Sequence, residues 1–236
     1  MVAANNVLPA DWRSVFLPNH PRIGIGCDPA TTTKKKSNPS SIAVIQQVGL
    51  TFFVRVLLRF KTSDPRVTTA ILRELLDLPH GLRCRRIAIL ATNERFFATG
   101  VKHEFAGLCP VELVIESEAH IYLGEPMSMK SYLGNQLVNT MEDGYLALPD
   151  YPWIQRDIRQ VVREGGTFAA DVDESGNHAD GFCAIGAGLH TLLSGSGPAE
   201  ASAAQVGSYG AANQALRKLH NPYAHLYDRS GPRINS

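Results

Sequence analysis

Two aspartates stand where a folded chain can bring acids together. Asp28 ends the short apolar run Ile23-Gly24-Ile25-Gly26-Cys27, which reads as a strand. Asp180 lies in Asn177-His178-Ala179-Asp180-Gly181-Phe182-Cys183-Ala184, the opening of a helix expected from His178 to Leu193 and apolar on most faces. An acid at the carboxyl end of a central strand, met by an acid on the first turn of a later helix, makes a shared oxygen-ligand site for Mg²⁺ or Mn²⁺. Such a site does phosphoryl chemistry: two ions about 4 Å apart activate a water on one side of a phosphodiester and stabilise the leaving oxygen on the other. Each acid also has an ordinary reading, Asp180 as a helix N-cap and Asp28 as a turn residue.

Other side chains flank these acids in the chain. Lys34, Lys35 and Lys36 follow Asp28 in a polar loop, placed either to hold a DNA backbone or to face solvent as charge runs usually do. His178 precedes Asp180 by two residues and reads as a phosphate contact, a proton shuttle or a residue of the cap region. Asp171 and Asp173 stand in the loop before it, as outer contacts of a metal site or as solvated acids. Arg83, Arg85 and Arg86 precede the fourth strand and suit solvation or packing, and Arg156, Arg159 and Arg163 recur at helical spacing as an exposed face. Phe96 and Phe97 are expected in the core.

The elements that must position these residues are legible in order. After the first strand come Ser41 to Gln46 and Thr51 to Phe60, two strands whose short link suits an antiparallel hairpin. Asp64 and Pro65 open a helix that carries Val67, Ile71, Leu72, Leu75 and Leu76 inward and stops at Pro79-His80-Gly81. Arg86 to Ala91 is a buried-type strand, Glu94 to Phe105 a helix, Val111 to Ile115 a strand, Met129 to Asp143 a helix. Pro152 opens another helix through Val162, followed by Gly165-Gly166 and the extended Thr167 to Ala170. Three antiparallel strands and then alternating units predict an α/β fold, a mixed sheet with helices on both faces. The expected division is an N-terminal extension over 1–21, a core domain over 22–194 and a mobile tail over 195–236, rich first in Ala, Gly and Ser and then basic.

Composition narrows the function classes. The 236 residues are 44% hydrophobic and 19% charged with a net charge of +1, which supports a packed core and excludes binding of nucleic acid by bulk charge. Four isolated cysteines indicate neither a zinc module nor a disulfide framework. The N-terminus lacks a signal-peptide pattern and no run of 18 apolar residues occurs, so a soluble, unexported, cytoplasmic protein with no membrane partner is expected.

Three segments carry a resemblance. Ile25-Gly26-Cys27-Asp28-Pro29-Ala30 with the later Ser40 to Ile45, then Lys130 to Pro149, and finally Asn177 to Asp180 with its small-residue helix, resemble in order the ribonuclease H-like nuclease domain of tailed-bacteriophage terminase large subunits over residues 22–194. The resemblance implies a metal-dependent endonuclease that cuts concatemeric double-stranded viral DNA during packaging, in the host cytoplasm, with two Mg²⁺ or Mn²⁺ ions. It implies Asp28 and Asp180 as ligands, and as partners the terminase ATPase region, the small subunit or the portal. One departure stands out: the family's second metal acid ends the fourth strand, where this chain has Leu90 or a neighbour, and Glu94 is the nearest carboxylate. Glu94 is then either a ligand from the next turn or a residue that compensates the helix dipole. No phosphate-loop motif occurs, so no nucleotide cofactor is expected and the resemblance is to the nuclease half alone. The alternatives are a module of the same fold that docks or binds DNA after losing the second acid, and another ribonuclease H-like enzyme such as a junction resolvase or an integrase core.

Overall fold

The first strand, β1 (Ile23–Asp28), is flanked on both sides, which is why its residues are almost all buried. In the computed structural model, which describes residues 8–31, 39–170 and 179–195, it pairs antiparallel with β2 (Ser40–Val48) and parallel with β4 (Cys84–Leu90). β3 (Thr51–Phe60) continues the antiparallel side, β5 (Val111–Val114) the parallel side, and the two-residue β8 (Leu146–Ala147) closes the order β5-β4-β1-β2-β3-β8. This is the mixed sheet expected of a ribonuclease H-like α/β fold, with helices on both faces.

Strand alternation sends Ile23, Ile25 and Cys27 to one face, where they pack with Ile71, Leu72 and Leu75 of α1 (Pro65–Leu76) and with Ala98 and Val101 of α2 (Arg95–Glu104). Asp64 caps α1 by accepting the Arg66 N–H at 3.0 Å, with Pro65 at the first helical position, as the sequence predicts. The opposite face receives α3 (Met129–Glu142), α4 (Pro152–Arg159) and α5 (Asp180–Leu193), with Leu137, Ile185 and Leu189 in a second core. Leu8, Trp12 and Phe16, which precede β1, are buried in the first core.

Some local expectations change. The helix from Pro152 ends at Arg159, and Val161–Glu164 (β9) instead pairs antiparallel with Thr167–Ala170 (β10). Adjacent β-branched valines before a Gly165-Gly166 turn, both at positive φ, favour a hairpin over another helical turn. Phe96 is 95% exposed rather than core, because α2 buries Ala98 and Val101 and residues two apart in a helix lie on nearly opposite sides; Phe97 packs partly against the core. A hairpin of β6 (Ala119–Tyr122) and β7 (Glu125–Ser128) also stands where no strand is expected. Among the described residues no helix is long and apolar enough to cross a membrane.

Candidate functional site

The site is assembled by glycine. Gly24 and Gly26 lie on the face of β1 that meets α5, and a Cβ on Gly26 would collide with the Ala184 carbonyl and the Gly188 backbone, while one on Gly24 would collide with Thr191. Only bare backbone lets helix and strand approach this closely. The contacts run antiparallel: Gly24 faces Gly188 to Leu192, and Gly26 faces Ala184 to Gly188. Two strand residues advance about 6.7 Å and four helix residues about 6 Å. One step beyond the Gly26 contact therefore sets Asp28 toward Asp180.

The electrostatics agree with that placement. The Asp28 carboxyl is pushed well above its ordinary value, first by burial and then by Asp180, with Glu116, Asp157 and Glu94 adding repulsion. Asp180 is itself only 3% exposed and occupies the first turn of α5, where the helix dipole favours negative charge. It is not the N-cap: that position belongs to Ala179, left-handed at φ 58° and offering no side-chain cap. The cap comes from α4, where buried Asp157 Oδ2 accepts the Phe182 N–H at 2.9 Å, while Arg59 Nη1 lies 3.8 Å from Asp157 Oδ1.

Neither Asp157 nor Glu116 is singled out by the sequence reading. Asp157 hides between Arg156 and Arg159, which are indeed exposed. Glu116 follows β5 in a turn, its N–H held by Thr92 Oγ1 at 3.0 Å and its carbonyl by Lys130 N–H at 3.0 Å. The structure sets it beside the vacated end of β4, since β5 ends there and Leu90 pairs with Val114. Leu90 lies one residue past the pairing of Cys27 with Ile89, is 6% exposed and packs with Val114, Tyr132 and Leu133. It lines a cavity of about 150 Å³ shared with Glu116, Lys130 and Cys183. Burial raises the Cys183 thiol strongly, and Asp28, Glu116 and Asp180 raise it further.

Glu94 points its carboxylate at the loop after β1, where Oε1 accepts from Thr31 N–H at 3.0 Å and both oxygens lie within 2.9 Å of the Thr31 hydroxyl. With Ser40, whose hydroxyl bonds both the N–H and the carbonyl of Ala30, it fixes the chain that leaves Asp28. Arg86 has the packing role expected: it is buried against Glu112 at 2.6 Å, and the far carboxylate oxygen of Glu112 meets His190 Nε2 at 2.9 Å. Lys34, Lys35, Lys36, Asp171, Asp173 and His178 lie outside the described residues.

Among the described residues no three His, Cys, Asp or Glu side chains are disposed to hold one metal ion. Two carboxylates, Asp28 and Asp180, suit a hydrated hard cation, which takes one or two carboxylates and completes its shell with water and substrate phosphate. The repulsion that raises Asp28 is what such a cation relieves.

No protein-family model matches the chain, and no curated protein matches it. Solved structures do. The nuclease domain of the large terminase of Thermus phage P74-26 is 16% identical over 75% of this chain and 82% of that domain, with a TM-score of 0.52. The large terminase of another thermophilic bacteriophage is similar at 10% identity and a TM-score of 0.52, covering 79% of this chain and 45% of that protein. The chain thus spans less than half of that second terminase, and its mixed sheet is the ribonuclease H-like fold of terminase nuclease domains.

Proposed function

We propose that the chain is a divalent-cation-dependent endonuclease acting on double-stranded DNA, of the kind used in viral DNA packaging, with Asp28 and Asp180 as its metal ligands. The observation that carries this reading is the convergence of these two desolvated carboxylates at the strand-end edge of the sheet, against the first turn of α5. A bound Mg²⁺ or Mn²⁺ would supply a nucleophilic water and charge stabilisation at the scissile phosphate. Asp28 and Asp180 hold the site's negative charge in place, Asp157 fixes the first turn that carries Asp180, and Glu94 fixes the loop that leaves Asp28. A second ion would draw on further ligands, for which Glu116, just past the end of β5 beside β4, is a candidate. The ATPase region, small subunit or portal of a packaging machine are the proposed partners.

A second reading, a docking module of the same fold without cleavage, is favoured by one observation: Leu90 is well-packed core where an acid would complete the cage. Supercoiled plasmid incubated with Mn²⁺, Mg²⁺ or EDTA separates the two. Nicking that needs the cation and disappears in Asp28→Asn and Asp180→Asn supports the nuclease; intact plasmid with every cation, from folded protein, leaves the docking module.

A further inference from the structure

All four cysteines are free thiols, and the fold brings two of them together. Cys84 opens β4, and Cys109 stands two residues before β5, which pairs parallel with β4 through Ile87 and Val111. Strict alternation from Ile87 would send Cys84 to the opposite face of the sheet. A bulge prevents this: Ile23 pairs with Cys84 and Gly24 with Arg86, so Arg85 is the extra residue and Cys84 turns to the face of Ile87. Cys109 packs in the first core with Ile87 and Val111, and Cys84 packs partly against the same cluster.

The two thiols hydrogen-bond, with Cys84 S–H as donor and the Cys109 sulfur as acceptor. Cys109 Sγ also lies 3.6 Å from the Cys84 carbonyl oxygen, and Cys84 Sγ 3.2 Å from that of Arg86. The bond from Cys84 holds the Cys109 thiol below its ordinary value against the opposing effect of burial. Burial, and then the donation to Cys109, push the Cys84 thiol up. One sulfur is thus the nucleophile and the other keeps the proton. Cys109 is 4% exposed but is flanked by exposed Leu108 and Pro110, and Cys84 is half-buried. Cys27 and Cys183 lie apart, in β1 and α5, where burial raises both thiols.

We infer that Cys84 and Cys109 form a reversible oxidation site, which closes to a disulfide when a low-molecular-weight disulfide such as oxidised glutathione acts as the oxidant. The Cys109 thiolate attacks one sulfur of that disulfide and expels the other as a thiolate. Cys84 then gives up its proton, attacks the Cys109 sulfur of the mixed disulfide and expels the second thiolate. Two protein thiols lose two electrons and two protons, and one disulfide becomes two thiols. Adjacent strands lie about 4.8 Å apart, inside the Cα separation of about 4.4 to 6.8 Å that a disulfide spans. The bond joins residues 25 apart in the chain and encloses β4 and α2. Cys84 pairs with Ile23, at the end of β1 opposite Asp28, so the closure staples the fold away from the candidate site.

The test incubates the full chain with oxidised glutathione, denatures it in the presence of iodoacetamide and maps its peptides by mass spectrometry. The expected product is an intramolecular disulfide between Cys84 and Cys109, with alkylation only at Cys27 and Cys183 and a return to four alkylated cysteines after dithiothreitol. The oxidised chain should melt at least about 5 °C above the reduced one, because a closed loop restricts the unfolded state. Cys84→Ser and Cys109→Ser, treated alike, should show no such rise, and the mapping of the unsubstituted chain decides the matter where a serine variant does not fold. Four alkylated cysteines after oxidation, a glutathione adduct that persists on Cys109, a bridge through Cys27 or Cys183, or an oxidised chain that melts no higher than the reduced one would each overturn the assignment.

Discussion

Asp157 Oδ2 accepts the Phe182 N–H at 2.9 Å, so an acid from α4 caps the helix that carries Asp180. The local sequence cannot do this, because Ala179 holds the N-cap position in a left-handed conformation without a side-chain acceptor. The same carboxylate stands 2.7 Å from where a Cβ on Gly181 would lie, so Gly181 is what admits it.

Asp157→Ala should therefore destabilise the protein by about 2 kcal/mol, the upper range for a lost cap, since the orphaned N–H is buried. Asp157→Asn, which keeps an acceptor oxygen, should cost less. Urea denaturation of the three proteins checks the order, and equal stability of wild type and Asp157→Ala would show that the bond contributes nothing net.

Gly26→Ala isolates the close approach of β1 and α5. The added methyl meets the Ala184 carbonyl and the Gly188 backbone, neither of which can rotate away as a side-chain end would. Overpacking against backbone places the cost at about 3 kcal/mol or more. Loss of the cooperative thermal transition, or a melting temperature lower by many degrees, is the expected result; an unchanged transition would mean that the two elements are not held in contact.

How much of this was legible depended on whether a residue's role was local. Asp28 at the end of an apolar run and Asp180 before a small-residue helix announce themselves, as does the capping of α1 by Asp64, because strand ends and helix starts are written in adjacent residues. Asp157 caps a helix 25 residues away and is surrounded by arginines that read as a solvated face. Glu116 matters only because β5 lies beside β4, a pairing made in space. Phe96 and Phe97 look alike in sequence, yet the helix face that buries Ala98 and Val101 leaves Phe96 outside.

Leu90→Asp tests the vacated position. Leu90 shares the face of β4 that carries Ala88, and the strand pairing puts it beside Asp28. If the nuclease reading holds, a carboxylate there adds a ligand to Asp28 and Asp180 and should raise Mn²⁺ affinity at least ~10-fold by calorimetric titration. Burying that carboxylate without metal should cost about 2 to 4 kcal/mol, so Mn²⁺ should also raise the variant's melting temperature more than the wild type's. A folded variant with wild-type affinity would return Leu90 to the ordinary core.

The Glu112 cluster sets an acid limit on stability. Burial alone would push the Glu112 carboxyl up, but the hydrogen bond and charge of His190 and the ion pair with Arg86 outweigh it and hold the carboxyl below its ordinary value. The folded state then binds fewer protons at this site than the unfolded chain, so the stabilisation is complete above the ordinary carboxylate range and is lost as pH falls through that range toward the lower folded value. Glu112→Gln removes the titration while keeping a group that can accept from Arg86. At pH 7 the variant should be less stable than wild type by about 1 to 3 kcal/mol, because the buried Arg86 charge then faces a neutral amide in place of a carboxylate. Between about pH 5 and pH 3 the two stabilities should converge as wild-type Glu112 takes up its proton. Thermal unfolding in matched buffers measures this difference directly, and a gap between the two proteins that stays constant over the whole range would show that Glu112 does not titrate differently in the folded chain.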